Sequence, residues 1–294
     1  MSKHLSGRVL TALLITALAA LGLAGSAQAK LTGNFTKFEQ CPYKNTEVRK
    51  CILSLTKSGE VVLGSKKVPI VNTVTLQGGA GKQVEGIAPF FAATNGITLS
   101  KAPQNVPGGL LGIVPEASSP ALVKALIKFF LENTFTGVNA TLELAKPATE
   151  IRLSENNLAS EEGVALKMPV KVHLENPFLG KNCFVGSSTS PITWNLTTGT
   201  TAPPGPNKAI TGKTGFIEFL EEGSIAFDKE ATLVDNAWSA PTATGCGGIL
   251  SFLVTPIINA QLGTTTAGHN TAILKNEIYI GAAAAVRENN ELNP

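Results

Sequence analysis

Residues that often carry enzyme chemistry are scarce in this sequence. Aspartate occurs only at Asp228 and Asp235, against 19 glutamates, and this scarcity disfavours aspartate-rich calcium loops and a paired-aspartate protease site. Beyond residue 29 the only histidines are His173 and His269, and the sequence contains no G-x-S-x-G nucleophile motif. Because a serine hydrolase needs a histidine base beside a positioned nucleophile, the sequence predicts no catalytic residue of that kind.

Patterns for binding nucleic acids or metals are equally sparse. The chain carries 24 lysines and arginines against 21 aspartates and glutamates, and it has no basic run to follow a phosphate backbone, so nucleic acid is not a predicted partner. The four cysteines form no C-x-x-C pair, which disfavours a zinc site. The sequence therefore predicts no metal and no cofactor. The adjacent glutamates Glu161 and Glu162, and likewise Glu221 and Glu222, indicate charged turns, since neighbours on a strand point to opposite faces.

One long apolar run lies at the start of the chain. Lys3 and Arg8 precede the segment LTALLITALAALGLAG, and the tripeptide A-Q-A before Lys30 has the small-x-small pattern of a cleavage site. This arrangement predicts a secretory signal peptide over residues 1–29, with an uncleaved membrane anchor as the alternative. No transmembrane segment is predicted in the mature chain, and the expected localisation is secreted, extracellular or at the cell surface.

The cysteines are predicted to form two disulfides. Cys41, Cys51, Cys183 and Cys246 all follow the predicted signal peptide, and disulfides are expected in an exported chain. Four cysteines allow three pairings. Cys41 and Cys51 are close in sequence and are predicted to clip one hairpin or loop, which leaves Cys183 for Cys246. The second bridge closes a loop of about 64 residues, which the chain-entropy model values at about 4 kcal/mol.

The clearest strand signal is the segment VALKMPVKVHLEN at residues 164–176. Apolar residues from Val164 to Leu174 alternate with a second series that is mostly polar. This pattern predicts a strand of an antiparallel sheet with one packed side and one side facing solvent. Pro169 has no backbone N–H to donate, so it is expected at a sheet edge or a bulge.

Further short β-branched segments, separated by Gly, Pro and Asn turns, recur through the chain. They predict a mainly β fold, an antiparallel β-sandwich-like architecture with one or two short apolar helices. The predicted strands are 60–63, 68–76, 138–145, 192–197, 216–220, 224–227, 231–236 and 271–280. The chain after the signal peptide suits a single β-rich extracellular domain over residues 30–294, and a subdivision near 147–163 is the alternative.

Two segments interrupt the strand pattern. SSPALVKALIKFFLEN, at residues 118–133, has Ser119 as a predicted N-cap and Pro120 at the first helical position. Its polar residues form one narrow stripe, so this helix is expected to bury most of its surface and to close one end or side of a β core. GILSFLVTPIINAQLG predicts a shorter helix that starts near Thr255 and Pro256 and stops at Gly263.

Several blocks of the sequence resemble a group of secreted proteins from Gram-positive actinobacteria. The blocks are FEQCPYKNTEVRKC, VPIVNTVTLQGG, LENPFLGKNCFVGSSTSPITWNLTTGTTAPP, LVDNAW, GCGG and LGTTTAGHNTAIL. The resemblance extends over most of the chain after residue 29. It implies export and places the four cysteines within recurrent blocks. It implies no activity, because the function of that group is uncharacterised and no catalytic residues can be carried over.

These observations favour an exported, non-enzymatic protein that acts by binding or as a structural component, with a component of the cell envelope as its partner. The second hypothesis is a carrier of an apolar small molecule such as a lipid, because residues 86–115, 118–133 and 248–262 contain more apolar surface than one sheet face requires. The candidate lining residues for that ligand are Leu122, Leu126, Phe129 and Phe130. A hydrolase with an unrecognised site is the third hypothesis.

Overall fold

The computed structural model describes residues 30–111, 118–122, 124–125 and 136–293. The predicted signal peptide at residues 1–29 and most of the predicted helix at 118–133 lie outside the described residues. Within the described part the chain is mainly β, and neighbouring strands pair antiparallel, as predicted. No helix in these ranges is long and apolar enough to cross a membrane.

The strands form one 14-stranded sheet of hydrogen-bonded neighbours. They are β1 (Lys50–Leu63), β2 (Lys66–Ile70), β3 (Val74–Ala80), β4 (Ala88–Ala92), β5 (Pro103–Asn105), β6 (Asn139–Leu144), β7 (Arg152–Leu153), β8 (Leu166–Glu175), β9 (Phe184–Val185), β10 (Ile192–Leu196), β11 (Ile217–Leu220), β12 (Ile225–Asp235), β13 (Ala243–Thr244) and β14 (Thr271–Ala282). The first half of the sheet has the order β11-β12-β14-β1-β3-β4, with β2 beside β1. The second half has the order β7-β8-β6-β5, with β10 and β9 also beside β8 and β13 beside β9. Strand β4 joins the halves, because it pairs with β3 and with β7.

Side chains from both halves form the main hydrophobic core, which gives the fold its sandwich-like character. Leu76 and Leu274 of the first half and Met168 and Trp194 of the second half belong to one buried cluster. A smaller buried cluster combines the segment before β1, the opposite face of β1 and β14, and the C-terminal helix. Its members include Phe38, Leu53, Tyr279 and Val286.

The two ends of the described chain meet at this smaller cluster. The backbone N–H of Lys30 donates to the carbonyl of Asn293 at 3.0 Å. The N–H of Thr32 donates to Oδ1 of Asn289 at 2.9 Å. These bonds fasten the first described residues to the helix that follows β14.

Both predicted disulfides are present, Cys41–Cys51 and Cys183–Cys246, and the described residues contain no free cysteine. Cys51 lies in β1, so the first bridge ties the preceding segment to this strand. Cys183 directly precedes β9 and Cys246 lies just beyond β13, so the second bridge reinforces the β9–β13 pair. All four cysteines are buried.

Strand β8 confirms the predicted alternating strand, but Pro169 does not lie at a sheet edge. β8 is internal, with β10 along one side and β7 and β6 along the other. The carbonyl of Pro169 accepts a hydrogen bond from the N–H of Ala145, one residue beyond the end of β6. In a strand, the N–H and the C=O of one residue point toward the same neighbouring strand. The position where Pro169 lacks an N–H therefore faces the region just past the end of β6, where the hydrogen bonds between β6 and β8 have already ended.

Strand β1 begins at Lys50, although the sequence predicts a strand only from residue 60. The triplet K-S-G at 57–59 looks like a turn, but it forms a bulge, and the pairing with β14 shifts register between Thr56 and Ser58. Gly59 has a φ of +134°, and a Cβ at this position would lie 2.0 Å from the carbonyl oxygen of Ile273. Only glycine fits such a close approach within a continuing strand.

The helices are α1 (Glu155–Ser160), α2 (Ser251–Leu262) and α3 (Ala283–Leu292). α2 ends at Gly263, as predicted, but it starts before Thr255 and contains Pro256. Pro256 is the sixth of the 12 residues of α2, so its missing N–H removes one backbone bond inside the helix, while turns on both sides hold the helix. In the predicted helix at 118–133, the described helical residues begin at Ala121, one position later than predicted. The N–H of Lys124 donates to the Pro120 carbonyl at 3.0 Å, which makes Pro120 the residue before the first helical one.

Candidate functional site

An apolar cavity lies between the two halves of the sheet. Side chains of β1, β2, β3 and β14 line it on one side, and side chains of β6, β8 and β10 line it on the other. Ile258 and Leu262 of α2 contribute to the wall, as do Gly109 and Leu110 of a short 3₁₀ turn. The cavity therefore draws on the same inward-facing surfaces that form the main core.

Strand alternation brings these side chains to the cavity. In β2, Lys66, Val68 and Ile70 line the wall, whereas the intervening Lys67 is exposed on the other side. In β8, Met168 and other apolar residues of the alternating series line the opposite wall. A period of two places every second side chain of a strand on the same face, so each of these seven strands contributes two or more lining residues.

The cavity among the described residues is larger than a single buried water needs. About 130 Å³ of it can hold the centre of a water-sized sphere, and the whole space between the walls, with its open mouth, is about 1280 Å³. The smaller volume is about ten times what one buried water needs. At about 24 cal/mol per Å³, an unfilled apolar cavity of that volume costs about 3 kcal/mol. A ligand that fills it would supply contacts that the protein's own side chains do not.

Amide side chains in the cavity wall are already hydrogen-bonded within the protein. Oδ1 of Asn276 accepts from the hydroxyl of Thr56 at 2.7 Å. Gln104 is 6% exposed, and its Oε1 accepts from the backbone N–H groups of Val71 and Asn72. Because these groups are bound, the wall presents mainly apolar surface to a ligand.

Trp194 connects the cavity wall to the second tryptophan of the chain. It is 1% exposed, and its ring lies edge-on to Trp238 with 6.1 Å between the ring centroids. Nε1 of Trp238 donates to the carbonyl of Asp235 at 3.2 Å, whereas Nε1 of Trp194 has no acceptor among the described residues. Since the chain contains two tryptophans, and one of them lines the cavity, its intrinsic fluorescence should report on cavity occupancy.

Of the four lining residues predicted from sequence, only Leu122 lies among the described residues. Leu122 is 80% exposed and does not line the cavity. Leu126, Phe129 and Phe130 lie outside the described residues. Most residues of the wall lie on strands. In the sequence, the apolar face of the alternating segment 164–176 was the pattern that indicated part of this wall. That signal does not distinguish a cavity wall from a closely packed core.

His173 lies on the outer side of β8, as its place in the alternating strand predicts. Its ring stacks on Phe184 with 4.3 Å between centroids, and Nε2 lies 3.1 Å from the carbonyl oxygen of Lys181. Nδ1 lies 3.9 Å from a carboxylate oxygen of Glu143 and 3.7 Å from one of Glu175. The ring is thus held between an aromatic neighbour and two carboxylates, on the face that points away from the cavity.

The paired glutamates lie at turns, as predicted, and one member of each pair fastens a distant segment. Oε1 of Glu161 accepts from the N–H of Thr214 at 2.7 Å. Oε1 of Glu221 accepts from the backbone N–H of Asn34 at 2.9 Å and from its side-chain amide at 3.0 Å. Both glutamates have positive φ values. Their contacts are those of residues that hold loops in place.

Other kinds of site find little support in the described part of the chain. There, no group of three or more His, Cys, Asp or Glu side chains is placed to hold a metal ion. A scan of protein-family models and searches of curated proteins and of solved structures found no match to this chain. The cavity is therefore the observation from which we infer a function.

The outer faces of β6 and β8 carry an ion-pair cluster centred on Glu143. Its carboxylate oxygens lie 2.9 Å from Nζ of Lys101 and 3.3 Å from Nζ of Lys171. Burial tends to raise the pKa of Glu143, but the hydrogen bonds and charges of the two lysines outweigh burial and hold the pKa below its ordinary value. Glu143 therefore stabilises the fold above the pKa that it has in the unfolded chain, and this contribution is lost as the pH falls through its lower folded-state pKa.

Glu143→Gln is expected to lower the free energy of unfolding at neutral pH by less than about 1 kcal/mol, because Lys101 is largely exposed and water screens its charge. The difference from the parent protein should shrink between neutral pH and an acidic pH below the lowered pKa of Glu143, where the parent carboxylate becomes protonated. Urea unfolding at both pH values measures this change. Glu291→Gln, at an exposed position of α3, is the control and should show no such trend. A deficit that grows in acid would contradict the interpretation.

Proposed function

We propose that this protein is an exported, non-enzymatic carrier that holds an apolar ligand, such as the acyl chain of a lipid, in the cavity between the two halves of its sheet. The observation that carries the proposal is the cavity, with its almost entirely apolar wall. Concave apolar sites with a few placed polar groups are typical of small-molecule binding. Close packing is the rule in protein interiors, so a space of this size needs an occupant to explain it.

Export is part of the same proposal. The two disulfides suit an oxidising compartment, and the N-terminal pattern predicts a signal peptide. The resemblance to secreted actinobacterial proteins supports this placement. An apolar molecule outside the cytoplasm must be shielded from water or kept in the envelope, and an interior cavity provides such shielding. A role limited to structure or to binding an envelope component would not require interior space.

The proposal predicts that a bulky side chain in the cavity wall will block the ligand. Ala140 lies on β6 and lines the cavity, so Ala140→Phe places an aromatic ring in space that an acyl chain would use. Binding of a fluorescent fatty-acid probe is expected to weaken by about tenfold or more, equivalent to about 1.4 kcal/mol. Titration of the probe, followed by its own emission and by quenching of tryptophan fluorescence, measures this.

Ala92→Phe is the matched control, because Ala92 is an exposed alanine on strand β4. This variant should bind the probe as the parent does. Equal binding by parent and Ala140→Phe would place the probe elsewhere and would contradict the proposed site. Native mass spectrometry of protein purified from its own host adds an independent test. A retained lipid mass supports the carrier function, whereas bare protein that also fails to bind any chain in the titration would refute it.

Ligand binding is expected to stabilise the fold. A ligand that binds the native state alone, at about 100 times its Kd, raises the free energy of unfolding by about 2.7 kcal/mol. For a chain of this length the corresponding rise in Tm is several degrees. Thermal unfolding with a series of fatty acids and alkanes of increasing chain length measures the effect. We expect the shift to increase with chain length and then level off when the cavity is full, and the absence of a shift at every length would argue against a chain-binding cavity.

A further inference from the structure

Lys66 is the only charged side chain among the described residues that line the cavity. It is the first residue of β2, and the alternation of that strand directs it to the same face as Val68 and Ile70, which also line the wall. Lys66 is only partly buried, so it is open to solvent as well as to the cavity. Its position therefore marks a place where the apolar interior meets water.

The backbone at Lys66 is held firmly by the turn that precedes it. The N–H of Ser65 donates to the carbonyl of Leu262 at 2.8 Å, and its hydroxyl donates to the carbonyl of Gln261 at 2.6 Å. Gly64 has a φ of +57°, and a Cβ there would lie 2.1 Å from the Leu262 carbonyl oxygen. The turn between β1 and β2 is thus fixed against the end of α2, which fixes the start of the Lys66 side chain.

Lys66 and the adjacent Lys67 differ in their partners. Nζ of Lys67 lies 2.5 Å from a carboxylate oxygen of Glu60 on the neighbouring strand. Within the described part of the chain, Lys66 forms no ion pair with any carboxylate. A lysine stem packs readily on apolar surface while its ammonium group stays at the water boundary. An anion that reaches this boundary would meet a positive charge that no carboxylate of the described residues neutralises.

We infer that the ligand is an amphiphile whose anionic head group binds the ammonium of Lys66 while its apolar chain lies in the cavity. This inference rests on the proposed carrier function and specifies the ligand class. A carboxylate and a phosphate monoester share the required charge. Because Lys66 is partly desolvated, either anionic group would gain more binding free energy from its ammonium than from that of a fully exposed lysine.

The test compares ligands of equal chain length that differ only in the head group. A fatty acid, the matching fatty alcohol, the matching methyl ester and a lysophosphatidic acid each displace a fluorescent apolar probe from the intact protein. The parent is expected to prefer the anions over the alcohol and the ester by about fivefold to tenfold. A preference for the fatty acid alone assigns a carboxylate, and a preference for the phosphate alone assigns a phosphate. Equal affinity for charged and neutral heads in the parent overturns the inference without the need for any variant.

Lys66→Met keeps most of the side-chain length but removes the charge, and Lys67→Met is the matched control. Lys66→Met should lose the preference for anions while its affinity for the alcohol stays within about twofold of the parent value. Lys67→Met should keep the preference. If Lys66→Met still prefers the anions, Lys66 is not the receptor for the head group, although the carrier function stands. If the parent binds none of the four ligands, the carrier function itself fails, so the two failures are distinguishable.

Discussion

Replacing Cys183 and Cys246 together with alanine is expected to lower the free energy of unfolding by about 4 kcal/mol. The bridge joins residues separated by 63 positions, and it closes a loop that contains β10, β11 and β12. Without it, the unfolded chain gains the conformational freedom of that whole loop. Both cysteines are fully buried, so the loss would include some packing in addition to the entropic effect.

The Cys41–Cys51 bridge is the internal comparison, because it spans only 10 positions. The same chain-entropy relation values it at about 3 kcal/mol, so its double alanine variant should be the less destabilised of the two. Urea unfolding of the parent and both variants measures the order, and the unfolding transitions should be followed by tryptophan fluorescence and by circular dichroism to check that they coincide. A larger loss of unfolding free energy for Cys41→Ala/Cys51→Ala would show that loop-closure entropy does not determine the relative contributions of the two disulfides.

Asn270→Ala is expected to cost about 3 kcal/mol, from the loss of several buried hydrogen bonds of about 1 kcal/mol each. Asn270 is fully buried and lies just before β14. Its Oδ1 accepts from the N–H of Gly64 at 2.9 Å, and its Nδ2 donates to the carbonyls of Trp238, Thr265 and Thr266 at 2.9–3.0 Å. The side chain therefore joins three separate turns, including the one that precedes Lys66.

His269→Ala, at the neighbouring position, is the control for this prediction. His269 lies in the same turn but is only partly buried, so its replacement should change the free energy of unfolding by no more than about 0.5 kcal/mol. Because the β1–β2 turn depends on Asn270, the Asn270 variant should also weaken ligand binding more than its stability alone predicts. Similar losses of stability in both variants would mean that the network around Asn270 contributes little.

Features that depend on near neighbours in sequence were predictable. The alternating residues of 164–176 predicted β8, because a period of two has one structural interpretation. The cysteine pairing followed from the closeness of Cys41 to Cys51, which left one partner for Cys183. Gly263 was predicted to end α2, since glycine is preferred where a helix stops.

Features that depend on distant contacts were not predictable. The sequence predicts only residues 60–63 of β1, and residues 50–59 were missed. The strand continues through the bulge at Gly59 because of a close approach to β14, more than 200 residues further along the chain. Pro169 was expected at a sheet edge or a bulge, since the sequence does not show that β6 ends beside it. Asn270 lies in a polar turn of ordinary composition, and its role appears only when three turns are brought together.

The candidate site also depends on contacts between residues that are distant in sequence. Sequence reasoning placed an apolar ligand against the helix at 118–133, since that segment has the densest apolar character. The described wall of the cavity comes from two sheet surfaces, and its strands contribute residues that would suit a closely packed core equally well. Lys66 had no signal of its own in the sequence. It becomes distinctive only because its face of β2 is turned toward the cavity and because Glu60 pairs with Lys67 instead.

The contact between the two ends of the described chain makes circular permutation practicable. A short linker between residues 30 and 293 would cross a small distance, and the chain could be reopened at an exposed turn such as residues 94–96. The cluster at which the ends meet contributes no residue to the cavity wall. Reporter groups fused at residues 30 and 293 would therefore emerge together, away from the cavity wall, while a permuted chain would offer a second, independent attachment point for testing the proposed carrier function.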